Sequence, residues 1–173
     1  HDVFLMHGWG MTEMSPLGTA TVKTKEMEDM DIEARYDLQQ KQGKAFFGVE
    51  MTIADDDGNE LPQDGVAFGR LLVKGPTIVD TYFKSNDSAK DENGWFDTGD
   101  VAKIHPEGYM EIVDRSKDVI KSGGEWISSI DLENAAVGHP GVAEACVIGV
   151  LHAKWDERPL LLIVKANNED PSK

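Results

Sequence analysis

Short apolar runs cut by turn clusters fill residues 46–113, and that layout confines the stretch to a strand-rich fold. Residues 49–54 run into Asp55-Asp56-Asp57-Gly58-Asn59, a strong turn signal, and residues 70–74 resume as a strand. Residues 101–105 and 109–113 flank Pro106-Glu107-Gly108, which predicts a compact hairpin. Upstream, Met27, Met30, Ala34 and Leu38 recur at helical spacing, so one helix is expected over 24–42, stopped by Gly43.

After Asp114 the texture changes. Residues 119–121, a Ser122-Gly123-Gly124 turn and residues 126–127 predict a second small hairpin. Ser128 with Asp131 resembles a capping box, opening a helix that closes at Gly138 before His139-Pro140. Residues 142–150 and 160–164 read as strands, with Trp155-Asp156-Glu157-Arg158 as the loop between them. The expectation is an α+β chain in two units that meet near 114–118, taken as 1–116 and 117–173.

Charge narrows the partners. Lys and Arg number 17 against 32 Asp and Glu, a net charge of -15, which disfavours nucleic acid and anionic membrane surfaces. A chain this acidic can bind a polyanion only through local donors and a metal ion. Cys146 is the single cysteine, so no internal disulfide framework exists and a reducing, cytoplasmic setting is expected. No apolar run is long enough for an integral membrane helix. The first residue is not Met, and the chain is expected to be an internal piece of a longer polypeptide.

Three constellations can carry chemistry. In His7-Gly8-Trp9-Gly10-Met11-Thr12-Glu13, glycines around an aromatic give a stacking face with close backbone approach, and a hydroxyl and a carboxylate follow. Thr12 can donate to a phosphate oxygen and Glu13 can hold Mg²⁺. In Asp97-Thr98-Gly99-Asp100, a carboxylate at a tight turn can accept from the vicinal hydroxyls of a ribose. In Asp114-Arg115-Ser116-Lys117-Asp118, Arg115 offers a planar fork, and Gly123-Gly124 permits a second close approach. Alone, each has an ordinary structural reading: a Gly-rich loop with a capping Thr, a capped turn, a salt-bridged surface cluster.

Taken in order, the three are similar to the motifs of the adenylate-forming superfamily, from about Gly8 to the C-terminus and densest over 93–133. That superfamily spans acyl-CoA synthetases, luciferases and peptide-synthetase adenylation domains. The resemblance implies the strand-rich, distorted-barrel end of a large N-terminal AMP-binding domain, then the start of a small mixed α/β C-terminal domain. It implies reaction of a carboxylic acid with Mg-ATP to give an acyl-adenylate and pyrophosphate, then attack by CoA thiol and release of AMP. By motif, Trp9 stands where the adenine-stacking aromatic stands, more often Tyr, with Gly10 beside it in the AMP/ATP site. Thr12 matches the phosphate-contacting threonine, Glu13 the magnesium carboxylate, Asp100 the ribose aspartate and Arg115 the arginine on the same nucleotide. Lys117 falls on the hinge about which the small domain swings, and Gly123, Gly124 and Trp126 on the wall of the CoA tunnel. Trp9, Thr12, Glu13, Asp100 and Arg115 are expected to converge on one cleft.

Gly124-Glu125-Trp126-Ile127-Ser128 resembles the medium- and long-chain fatty acyl-CoA ligases and related ligases for short thioether acids. The family's upstream phosphate loop and its Pro-x4-Gly-Lys lysine are not in this sequence, so the isolated chain is expected not to turn over. Any oligomer contacts would come from the missing N-terminal region. Two other readings stay open: an adenylation domain that delivers its acyl group to a carrier protein, and a non-catalytic acidic interaction module. Asp55-Asp56-Asp57-Gly58 has Ile53 and an early Glu60 where a calcium loop needs other ligands, and reads as a solvated turn. Cys146, inside an apolar run, is expected to be a buried core thiol.

Overall fold

Every strand up to residue 115 finds a place in one curled sheet. The computed structural model describes residues 3–166. In chain order it holds β1 (Gly8–Gly10), a 3-10 turn over Thr12–Met14, β2 (Leu17–Ala20), α1 (Lys25–Asp29) and α2 (Ile32–Gln40). Then come β3 (Gly43–Ala45), β4 (Glu50–Ala54), β5 (Phe68–Lys74), β6 (Phe96–Ile104) and β7 (Tyr109–Arg115). The remainder is β8 (Ile120–Ser122), β9 (Glu125–Ile127), α3 (Ser129–Val137), β10 (Val142–His152) and β11 (Asp156–Lys165). The chain is a strand-rich mixture of α and β, divided into two compact units, His1–Ile112 and Val113–Lys173.

In the first unit the strands line up as β1-β2-β3-β7-β6-β5-β4. β5 shows why they pair. Gly69, Leu71 and Val73 are buried while the residues between them are half-buried, the period-two signature of a strand packed on one face. Ile53, Leu71, Val73, Phe96, Ile104 and Met110 meet in a core that Met14 also enters. Each fully buried side chain of this kind contributes about 1.5–3 kcal/mol.

The long helix expected over 24–42 is two helices. Met30 and Asp31 both take extended backbone, with ψ of 151° and 159°. Asp31 Oδ1 then accepts from Ala34 N at 3.0 Å, capping α2. A competing cap interrupted an otherwise continuous spacing. Gly43 lies in β3 with φ of 89°, where a Cβ would sit 1.9 Å from the Ala20 carbonyl carbon. Its glycine is required by strand packing, not by a helix end.

In the second unit the order is β10-β11-β8-β9. α3 starts as expected: Ser128 Oγ accepts from Asp131 N at 3.1 Å and donates to Val113 O at 3.0 Å. Buried Asp114 reinforces that start, its Oδ2 accepting from Ser129 N at 2.6 Å and from Ser129 Oγ at 2.8 Å. Two expectations fail here. Asp156, Glu157 and Arg158 belong to β11, and the turn is confined to residues 153–155. Cys146 is exposed, not buried. α3 packs against β10, where the Val147 N–H donates to Glu133 Oε1; Val147 is buried, and neighbouring Cys146 points to the opposite face of the strand.

Candidate functional site

The Gly-Trp-Gly strand and the Thr-Gly-Asp turn meet in space. Trp9 Nε1 donates to Asp100 Oδ2 at 2.8 Å although 91 residues separate them. Four strand steps lie between β1 and β6 in the sheet order. At about 4.8 Å per step a flat sheet would hold them about 19 Å apart, far beyond the reach of an indole. The sheet therefore curls, and the ring crosses its interior.

Small residues clear the way. A Cβ on Gly18 of β2 would lie 2.6 Å from Trp9 Cζ3 and 2.6 Å from Met14 Cε. Gly18 is thus the gap the indole fills, a role that sequence reading missed because the clash lies across strands. A Cβ on Gly10 would sit 2.1 Å from the Pro16 carbonyl oxygen, so that glycine is already demanded by the β1–β2 pair.

Asp100 is fixed from both ends. Its carboxylate takes the Trp9 donor, its backbone N–H donates to Thr98 Oγ1 at 3.1 Å, and the Thr98 hydroxyl donates to Leu71 O at 2.9 Å. Asp100 is only 4% exposed, and a buried carboxylate is tolerated when donors hold it.

Thr12 and Glu13 follow β1 on the 3-10 turn, which buried Met14 anchors in the core. Thr12 is exposed and Glu13 half-buried. Glu13 O accepts from Val79 N at 2.7 Å, and Glu13 Oε1 accepts from the Tyr82 hydroxyl at 3.1 Å. Partial burial, with the Glu13 carboxylate as acceptor and charge, raises the Tyr82 phenol above its ordinary value. No local signal marked Tyr82 as Glu13's partner, since 69 residues separate them. A groove of about 460 Å³ under α1 and α2 is lined by Met27, Leu38, Lys41 and Tyr109 and includes none of these four motif residues.

Arg115, Lys117, Gly123, Gly124 and Trp126 belong to the second unit. Arg115 is exposed at the end of β7, and its N–H donates to Asp114 Oδ1 at 2.8 Å. Lys117 sits in the turn closed by donation from Asp118 N and Val119 N to Arg115 O, both 2.9 Å. Gly123 and Gly124 take φ of 64° and 88°, which favours glycine at both. Gly123 also needs the space: a Cβ there would meet the Trp155 ring at 2.7 Å. Its N–H donates to Trp155 O at 2.9 Å, giving a structural role to a tryptophan that sequence reading left unassigned. Lys121 Nζ lies 4.8 Å from the Trp126 ring centroid.

The chain is similar to known proteins. Residues 1–83 match the family model described as AMP-binding enzyme, and residues 131–173 match the AMP-binding enzyme C-terminal domain. The chain is 57% identical over 172 residues to 3-methylmercaptopropionyl-CoA ligase of Ruegeria lacuscaerulensis, an alignment covering 99% of this chain and 32% of that protein. It is 45% identical over 170 residues to the medium-chain-fatty-acid–CoA ligase of Ectopseudomonas oleovorans, covering 98% of the chain and 31% of the relative. ATP-bound MatB from Rhodopseudomonas palustris superposes with a TM-score of 0.76 at 31% identity, covering 98% of this chain and 32% of that one. The chain spans about a third of the length of these relatives. The relatives' alignments span the stretch between the two family models, which holds Asp100, Arg115, Lys117, Gly123 and Gly124. The chain belongs to the AMP-binding enzyme family and carries sequence from both its AMP-binding and its C-terminal domain.

Proposed function

We propose that this chain supplies the ribose and adenine wall, the hinge and the glycine turn of an ATP-dependent carboxylate–CoA ligase. An acid oxygen attacks the α-phosphorus of ATP, releasing pyrophosphate and leaving an acyl-adenylate. The CoA thiol then attacks the acyl carbon and AMP leaves. The observation that carries this reading is the Trp9–Asp100 hydrogen bond, because it joins a stacking face to a buried carboxylate suited to vicinal hydroxyls.

In this reading Trp9 faces the adenine, with Gly10 beside it, Asp100 accepts from the ribose, and exposed Thr12 donates to a phosphate oxygen. Arg115 reaches the same nucleotide, Lys117 is the pivot, and Gly123, Gly124 and Trp126 line the pantetheine path. Glu13 suits Mg²⁺, an ion that commonly takes one or two carboxylates together with phosphates and water. When bound, it would neutralise phosphate charge. What Glu13 itself contributes is one oriented carboxylate, held by Tyr82.

The substrates we assign are fatty acids and short thioether acids, in line with the Trp126 signature and with the names of the two relatives. The setting is the cytoplasm, which suits the single cysteine. Among the described residues no helix is long and apolar enough to cross a membrane. The test is product analysis on the intact enzyme containing this chain, with octanoate or 3-(methylthio)propionate, ATP and CoA. AMP and a CoA thioester formed in equal amounts are expected. ADP, or no thioester with either acid, would refute the assignment.

A further inference from the structure

Stacking uses only the faces of the Trp9 indole, and the structure puts its edge to use as well. Nε1 donates to Asp100 Oδ2 at 2.8 Å, while a phenylalanine in the same place would offer a face without that donor. The ring packs against the core that holds Met14, and it lies so close to Gly18 that a Cβ there would come within 2.6 Å of it. Its edge is therefore held in one direction. Asp100 has its main chain fixed through Thr98, and the indole N–H acts on the rotation of its carboxylate about the side-chain bonds. A carboxylate that must meet two vicinal hydroxyls is useful in only a narrow range of that rotation.

We infer that Trp9 is a positioning residue for Asp100, orienting its carboxylate toward the ribose hydroxyls in addition to facing the base. The inference rests on the nucleotide reading above and adds a second task for the same side chain. It predicts that recognition of the ribose, and not only general nucleotide affinity, depends on the indole N–H.

The experiment compares ATP with 2′-deoxy-ATP and 3′-deoxy-ATP in acid-dependent adenylation by the intact enzyme, reading kcat/KM as a ratio. Wild type, Trp9→Phe and Asp100→Asn are assayed, with benzothienylalanine at position 9 as a near-isosteric ring lacking the N–H in case Phe disturbs folding. Wild type should prefer ATP over at least one deoxynucleotide by about tenfold. That preference should fall to about twofold or less in Asp100→Asn and in both position-9 variants. If Asp100→Asn loses the preference while both position-9 variants keep it, the inference is wrong and the ribose assignment stands. If wild type shows no preference, or Asp100→Asn retains it, the ribose assignment fails and takes the inference with it.

Discussion

A side chain at position 18 would collide with the ring proposed to face adenine. Gly18→Ala places a Cβ 2.6 Å from both the Trp9 ring and buried Met14, so the half-buried ring must shift to admit it. Overpacking of this kind costs about 1–3 kcal/mol. The expected result is a lower urea midpoint together with a raised KM for ATP, whereas a stability loss with unchanged KM would show that the ring does not face the nucleotide. At this scale the sequence was only half legible. The Gly-Trp-Gly and Thr-Gly-Asp segments each announced themselves by composition. That the two meet was expected only from the family resemblance; the Trp9–Asp100 and Tyr82–Glu13 hydrogen bonds themselves were invisible, because they join residues 91 and 69 apart. No local pattern encodes the curl of a sheet.

Helix starts and hairpins were the readable elements, since their signals lie within a few residues. Ser128 caps α3 as its spacing with Asp131 suggested, and the Pro106-Glu107-Gly108 turn joins β6 to β7. The misreadings have equally local causes. Asp31 outcompeted a helical spacing that ran through it, and Cys146 alternates with buried Val147 and so points to the opposite, exposed side of β10. Asp114 should matter more than the cap itself. Asp114→Ala removes the acceptor of two donors at the start of α3 and of Arg115 N at the end of β7, whereas Ser128→Ala removes the cap and one bond to Val113 O. Losses of about 3 kcal/mol and about 1 kcal/mol are expected in urea denaturation. Equal losses would mean that the Asp114 bonds add nothing beyond the cap.

β7 also predicts a pH dependence. Burial raises the phenol of Tyr109 above its ordinary value, and the charges of Glu26 and Glu107 add to the effect. A folded value above the unfolded one gives stabilisation that is complete below about pH 10 and lost as pH rises through the folded value. Stability measured at about pH 9 and about pH 11 should therefore fall less steeply in Tyr109→Phe than in wild type. Identical slopes would show that the phenol is not perturbed.

The proposed division of labour in the whole molecule is a nucleotide wall in the first unit and a hinge and glycine turn in the second. Lys117 has negative φ, and among the described residues its N–H has no hydrogen-bond partner, so a proline there deletes no bond. It restricts rotation instead, at position 117 and at Ser116 before it. Lys117→Pro in the intact enzyme should lower acyl-CoA formation at least about tenfold more than pyrophosphate release. A uniform fall in both would assign Lys117 to ordinary surface structure.

The most direct test of the central claim, that Trp9 and Asp100 build the nucleotide wall of an adenylate-forming enzyme, is acid-dependent ATP–pyrophosphate exchange without CoA. With octanoate or 3-(methylthio)propionate the intact enzyme should catalyse the exchange, and Asp100→Ala should slow it by about 10- to 100-fold, the worth of hydrogen bonds to a charged group. Absence of exchange with every acid tried, or an Asp100→Ala enzyme that exchanges at the wild-type rate, would contradict the account.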